Sequence, residues 1–304
     1  MHALDVRDVS KSYGNNPVLS HVNLAIEDGE FYALMGPNGS GKTTLISVIA
    51  SVCAPSKGAV TVYGRRNAKE VISYVPQDNF SSPRLTGREN LMYFAQLYGF
   101  SRRKASSLAV SILEKIRLSA VAQAQVSTYS GGMRKRLEVG TGLFPGTKLL
   151  LLDEPTTGLD PSARREFLGM IKEMNENGMT IFLITHIGED AELASRVGFI
   201  DEGVIIAEGT PDTLKKRSGL TNVLTVETAV KSRKIHDVLK KFSDQEKVLE
   251  TEAGYRIYCE SPQEVLPNVV RALDSVGCTH HKIDIDAPSL EDVFFALTEK
   301  QVVL

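Results

Sequence analysis

At 304 residues the chain exceeds the usual size of a single hydrophobic core, so two domains are expected. Apolar residues make up 42% and charged residues 24%, an ordinary globular balance, and a formal net charge of −2 argues against a general nucleic-acid binder, so no nucleic-acid partner is expected. Three cysteines, Cys53, Cys259 and Cys278, form no disulfide framework and suit a reducing cytosol. The first residues lack the basic and apolar segments of a signal peptide. The longest apolar runs are far short of a membrane span, so any work at a membrane requires another polypeptide to cross it.

In chain order, Leu4, Val6 and Val9, then residues 18–26, then Phe31–Met35 read as strands separated by turns at residues 13–17 and 27–29. Residues 59–63 and 71–75 read as further short strands. From Thr86 the period changes. Thr86 and Glu89 form a capping box, Leu91, Phe94, Ala95 and Tyr98 share one helical face, and residues 105–118 continue as a second helix. A helical subdomain of about residues 84–140 is therefore expected inside a β-rich framework. Residues 148–152 read as a buried strand, and Asp160-Pro161 opens a helix that stops before Gly178. Thr180–Thr185 is another apolar strand, and a hairpin turns at Asp201-Glu202-Gly203.

Residues 213–221, polar and basic, read as a linker, the change of character beginning at Pro211. Beyond it, residues 222–228 (β), 232–242 (α), 247–252 (β), 255–260 (β), 263–276 (α) and 281–285 (β) give the ferredoxin-like order βαββαβ. A last helix starts at Ser289, with Asp292 completing a capping box. The expected domains are residues 1–212 and residues 222–304.

The strand ending at Met35 runs into Gly36-Pro37-Asn38-Gly39-Ser40-Gly41-Lys42-Thr43-Thr44, which fits the phosphate-loop pattern G-x-x-x-x-G-K-[ST]. Its glycines let backbone N–H groups curl around phosphates, and the following helix N-terminus adds a favourable dipole. Lys42 is placed to reach the β- and γ-phosphates of ATP and Thr43 to ligate Mg²⁺. Asp153-Glu154, two carboxylates at the end of an apolar strand, suit holding Mg²⁺ (Asp153) and polarising the attacking water (Glu154). Ser130-Gly131-Gly132 opens a helix and forms a second anion cradle. One nucleotide does not need two cradles from one chain, which hints that the second serves another subunit. Cys278, His280 and His281 lack a fourth ligand nearby and read as structural.

In order and type, these residues resemble the ATPase domains of ATP-binding cassette (ABC) transporters over about residues 1–212: Tyr13, the loop 36–44, Gln77, Tyr129-Ser130-Gly131-Gly132-Met133, Asp153-Glu154, Gly158-Leu159-Asp160 and His186. The resemblance implies an α/β fold, a P-loop NTPase of the ABC type whose mixed sheet carries an antiparallel subdomain and a helical insertion. It implies that Tyr13 stacks on adenine, Gln77 contacts Mg²⁺ and water, Asp160 lines a dimer interface and His186 contacts the γ-phosphate. Two such domains would sandwich two ATP molecules, as a homodimer or with a paired ATPase subunit, each phosphate loop closed by the Ser130-Gly131-Gly132 cradle of the opposite subunit. Tyr129 and Met133, the Gly209-Thr210-Pro211 exit and the ending Ser289-Leu290-Glu291-Asp292-Val293-Phe294 are similar to ATPases of ABC-2-type exporters. That likeness implies a separate membrane permease and a place on the inner face of the cell membrane. A soluble ABC ATPase without a transport role, or an importer ATPase, remain the alternatives.

Overall fold

The computed structural model describes residues 2–66, 68–220, 222–244, 248–251 and 253–298, so Lys247 and Glu252, the two ends of the expected strand 247–252, lie outside the described residues. The chain divides into two compact units, Met1–His186 with Leu193–Glu208, and Ile187–Glu192 with the residues from Gly209 onward.

In the first unit, β1 (His2–Tyr13), β2 (Asn16–Glu27) and β4 (Lys57–Val62) form an antiparallel sheet in the order β2-β1-β4. Burial alternates along β2 from Val22, as it must for a strand with one face on the core, while in β1 the alternation breaks at Ala3/Leu4 and Arg7/Asp8, where the register shifts. The six-stranded sheet has the order β5-β6-β7-β3-β8-β9, from β3 (Phe31–Met35), β5 (Ile72–Val75), β6 (Leu149–Asp153), β7 (Thr180–Thr185), β8 (Arg196–Asp201) and β9 (Val204–Gly209). The pairs β5–β6, β6–β7, β7–β3 and β3–β8 are all parallel. Every residue of β3, β6 and β7 is buried, which explains why they read as unbroken apolar runs in the sequence. Glu202 (φ +47°) and Gly203 (φ +78°) supply the two left-handed residues of the tight β8–β9 turn. A single core joins the two sheets through α1 (Lys42–Ile49), with Leu45, Ile46 and Ile49 meeting Leu4, Leu24, Tyr32 and Leu151.

The helical segment comprises α2 (Gly87–Leu97), α3 (Arg102–Lys115) and α4 (Gly131–Gly140). The expected capping box is complete: Thr86 accepts from the Glu89 amide, and Glu89 accepts from the Thr86 amide. Asp160 caps α5 (Pro161–Glu176), accepting from the Ser162 and Ala163 amides.

In the second unit, residues read as a linker instead form α7 (Pro211–Arg217). The reason is local. Thr210 caps the Thr213 amide, Pro211 occupies the first turn, Leu214 is buried, and Lys215, Lys216 and Arg217 sit at the negative end of the helix dipole. The short α6 (Gly188–Ala191) groups with this unit, where Lys215 Nζ lies 2.7 Å from Glu192 and the Glu291 carboxylate accepts from the Gly188 amide. The four-stranded antiparallel sheet has the order β11-β12-β10-β13, built from β10 (Val223–Thr228), β11 (Val248–Glu250), β12 (Gly254–Tyr258) and β13 (His280–Asp286). With α8 (Arg233–Lys240) and α9 (Pro262–Ser275) between strands, this is the ferredoxin-like βαββαβ arrangement. Leu224, Val226, Tyr255 and Ile257 pack with Ile235, Leu239, Val269 and Leu273 of the two helices. On α10 (Leu290–Thr298), fully buried Asp292 accepts from the Tyr258 hydroxyl at 2.9 Å and lies 2.8 Å from Arg256.

Candidate active site

Four neighbouring parallel strands end on the same edge of the sheet, and the residues at and just beyond their C-terminal ends assemble the site. Residues 36–44 come directly after β3, Gln77 lies just past β5, Asp153 ends β6 with Glu154 next, and His186 comes directly after β7. The C-terminal edge of an open parallel sheet is where ligands bind in such folds, because helix N-termini and free loop amides collect there.

The phosphate loop is shaped by its glycines where the backbone demands them. Gly41 has φ +102°, and a side chain there would lie 2.9 Å from the Val18 carbonyl. Neither α1 nor α4 carries an acidic residue in its first turn, so both N-termini offer amide donors to an anion. Lys42, 5% exposed, folds over the loop and donates to the carbonyls of Gly36 (2.8 Å) and Pro37 (2.9 Å), with its Nζ 3.5 Å from Glu154 Oε1. Burial pulls the Lys42 ammonium below its ordinary value, and Glu154 opposes that shift.

Asp153 and Glu154 are both buried, and their environments push them apart. Asp153 accepts from Thr43 Oγ1 and Tyr74 Oη, each at 3.4 Å. Burial and the adjacent Glu154 charge nevertheless raise its carboxyl above the ordinary value. Burial and Asp153 push the Tyr74 phenol up to about 12. Glu154 is held below its ordinary value by His186, against burial and with help from Lys42. Gln77 Nε2 donates to Glu154 Oε2 at 3.4 Å, and His186 Nδ1 lies 3.2 Å from the same oxygen. Glu154 has φ +46°, a left-handed conformation that a side chain rarely adopts, held by its amide bonding to the Ile184 carbonyl.

Two buried polar atoms here, Ser40 Oγ and His186 Nδ1, have no aligned hydrogen-bond partner. With Lys42 turned onto its own loop and two unaligned polar atoms beside it, the donor set fits a polyphosphate. The paired oxygens of Thr43 and Asp153 are hard ligands of the kind Mg²⁺ takes.

Tyr13, 53% exposed at the end of β1, has its hydroxyl 3.9 Å from Cys53 Sγ and beside Thr44, and Lys11 Nζ lies 5.0 Å from its ring centre. The cradle Ser130-Gly131-Gly132 opens α4. Ser130 caps α4, accepting from the Met133 amide, and an added Cβ on Gly132 would lie 2.8 Å from Ala163 on α5. Among the described residues, no hydrogen bond or ion pair links residues 130–132 or Asp160 to Lys42, Glu154 or His186. Sequence reasoning missed Tyr74, Lys135 and Glu138. Tyr74 pairs with Leu151 in the parallel β5–β6 ladder, which puts it on the same face of the sheet as Asp153, two residues on. Lys135 and Glu138, charged residues of α4, are 6% and 0% exposed.

Comparison with known proteins gives the same assignment. The ABC transporter family matches residues 19–157. The chain is 32% identical to the linearmycin resistance ATP-binding protein LnrL of Bacillus subtilis, over 97% of this chain and 98% of that protein. It is 36% identical to Nod factor export ATP-binding protein I of Rhizobium meliloti, over 99% and 89%. It is 34% identical to the daunorubicin resistance ATP-binding protein DrrA2 of Streptomyces coeruleorubidus, over 98% and 95%. Among solved structures, the ATP-binding subunit of an ABC transporter aligns with TM-score 0.63 and 30% identity, over 71% of this chain and 93% of that one. A dimeric ATP-binding cassette in a post-hydrolysis state with ADP and phosphate aligns with TM-score 0.62 and 27% identity, over 68% and 98%. The chain belongs to the ABC transporter family, in which it is an ATP-binding cassette and an ATPase.

Proposed function

We propose that this chain is the ATP-hydrolysing subunit of an ABC-2-type exporter and drives efflux through a separate membrane permease. One observation carries the reading: the relatives named for linearmycin resistance, Nod factor export and daunorubicin resistance match over 97–99% of the chain, so the likeness extends through the second unit. Among the described residues no helix is long and apolar enough to cross a membrane, which suits a subunit held at the inner membrane face by its permease.

In this reading Tyr13 stacks on adenine, and Lys42 leaves the Gly36 and Pro37 carbonyls for the β- and γ-phosphates. Thr43 and Asp153 would hold Mg²⁺, with Gln77 beside it; the ion supplies charge neutralisation between the phosphates when bound. Glu154 takes a proton from the attacking water, positioned by Gln77 and His186, and His186 contacts the γ-phosphate. Ser130-Gly131-Gly132, which no hydrogen bond or ion pair among the described residues links to Lys42, Glu154 or His186, closes the phosphate loop of a second copy or homologous subunit, with Asp160 at the same interface. Residues 222–304 are a regulatory or dimerisation domain.

An affinity-tagged chain should co-purify with a polytopic membrane protein whose presence changes its ATPase rate. Isolation from native membranes without such a partner refutes the transport role and favours a soluble ABC ATPase. Deleting residues 222–304 tests the domain assignment; unchanged ATPase rate and oligomeric state would sink it.

A further inference from the structure

Glu138 is the only carboxylate on α4 and is 0% exposed, a placement that needs full compensation. The compensation comes from two places. Arg134 Nε and Lys135 Nζ, on the same helix, lie 3.7 and 3.8 Å from its oxygens. The rest comes from the loop just after Gln77. Ser81 Oγ donates at 3.0 Å and the Phe80 amide at 3.2 Å, and the Asn79 amide group, with nitrogen turned inward, reaches both oxygens at 3.1 and 3.2 Å.

The same helix grips that loop at two further points. Lys135 Nζ donates to the Gln77 carbonyl, and Arg134 donates to Ser81 Oγ (3.1 Å) and the Ser81 carbonyl (2.9 Å). Residues 77–81 are thus registered to α4 by charge-assisted bonds centred on one buried carboxylate. At the far end of α4 stands Ser130, and at the start of the loop Gln77 donates to Glu154.

We propose that Glu138 is a positioning residue that couples the two nucleotide sites of the ATPase pair. It makes Gln77, which touches the water-activating Glu154 of its own site, and Ser130, which serves the opposite site, move as one body. The inference rests on the proposed reading that residues 130–132 act across a dimer. A buried carboxylate is a poor stabiliser compared with an apolar residue, so a registry role accounts for its retention. The coupling is directional in space: a shift of α4 on cradle closure is carried through Lys135 to the Gln77 backbone.

The test uses the full chain with Glu138→Gln, Glu138→Asp and Lys135→Met, measuring ATP affinity, kcat, KM, the Hill coefficient for ATP and thermal melting. For Glu138→Gln we expect unchanged ATP affinity, kcat lower by about tenfold from a misplaced Gln77, and a Hill coefficient reduced to about 1. Glu138→Asp should recover part of both losses. Lys135→Met keeps the carboxylate bonded to residues 79–81 and should show the same loss of cooperativity, which covers the case in which Glu138→Gln fails to fold. Cooperative turnover in both variants at the wild-type Hill coefficient overturns the coupling. So does a loss confined to melting temperature, or to affinity with kcat and cooperativity intact. A wild type that is itself non-cooperative, and a Glu154→Gln variant that stays monomeric with ATP, overturn the paired-site reading and the coupling with it.

Discussion

Asp153→Asn should make the protein more stable and less active at once. Asp153 is 1% exposed and sits beside Glu154, which is 7% exposed, so two carboxylates share a buried site. Burial and the Glu154 charge hold the Asp153 carboxyl above its ordinary value in the folded state, so its ionised form opposes folding. That penalty fades as the pH falls through the folded value. Each tenfold disfavouring of the ionised form is about 1.4 kcal/mol. Asparagine keeps one oxygen for Thr43 or Tyr74 while the other contact is lost, which returns roughly half a kcal/mol. Removing the disfavoured charge should therefore raise the first melting transition, each 1 kcal/mol of net gain being about 2–4 °C in a unit of this size. The assay is differential scanning fluorimetry at pH 7 with EDTA, then with Mg²⁺ and a non-hydrolysable ATP analogue, alongside ATPase rate. Wild type should gain more from Mg²⁺ than the variant, whose turnover should fall by at least about a hundredfold. A variant that melts lower in EDTA, or that gains as much from Mg²⁺ as wild type, refutes the argument.

Glu154→Gln keeps the shape of the base without its charge; it should bind ATP, lose about two to four orders of magnitude in kcat and accumulate as a dimer in size-exclusion chromatography, whereas undiminished turnover removes Glu154 as the base. Gly41→Ala forces a Cβ against the Val18 carbonyl at 2.9 Å with φ +102°, and should abolish nucleotide-dependent stabilisation in the same melting assay. In the second unit, burial pushes the Cys259 thiol above its ordinary value of 9.0 and leaves it 3% exposed. Less thiolate at pH 8 means slow reaction with a disulfide reagent in the native protein and fast reaction in denaturant; equal rates would contradict its packing in that core.

Much of the site was legible because it lies at element ends. Phosphate loop, paired carboxylates and histidine each come after an apolar run that can only be a buried strand, and Thr86, Asp160 and Ser289 announce helix starts by their capping chemistry. The α7 helix was obscured because three consecutive basic residues read as solvated chain, while Leu214, one buried residue in seven, gave too weak a period. Glu138 and Lys135 were hidden for a different reason. Besides each other and Arg134, their partners Ser81 and Gln77 lie 57 and 58 positions away, a pairing that no periodicity along the chain encodes. The left-handed backbone of Glu154 was equally invisible, since a glutamate gives no sign of the conformation that glycine or asparagine would suggest.

The strand order has a consequence for how the protein is made. In the parallel sheet β3 lies between β7 and β8, so Phe31 meets Ile181 and Tyr32 meets Arg196. The strand that carries the phosphate loop has no partner in this sheet until well over a hundred further residues have been made. Such long-range closure is slow, and it leaves an apolar strand unpaired during synthesis. From this order we expect nucleotide binding during translation to report docking of β7, and truncated nascent chains ending before β7 to depend on chaperones to remain soluble.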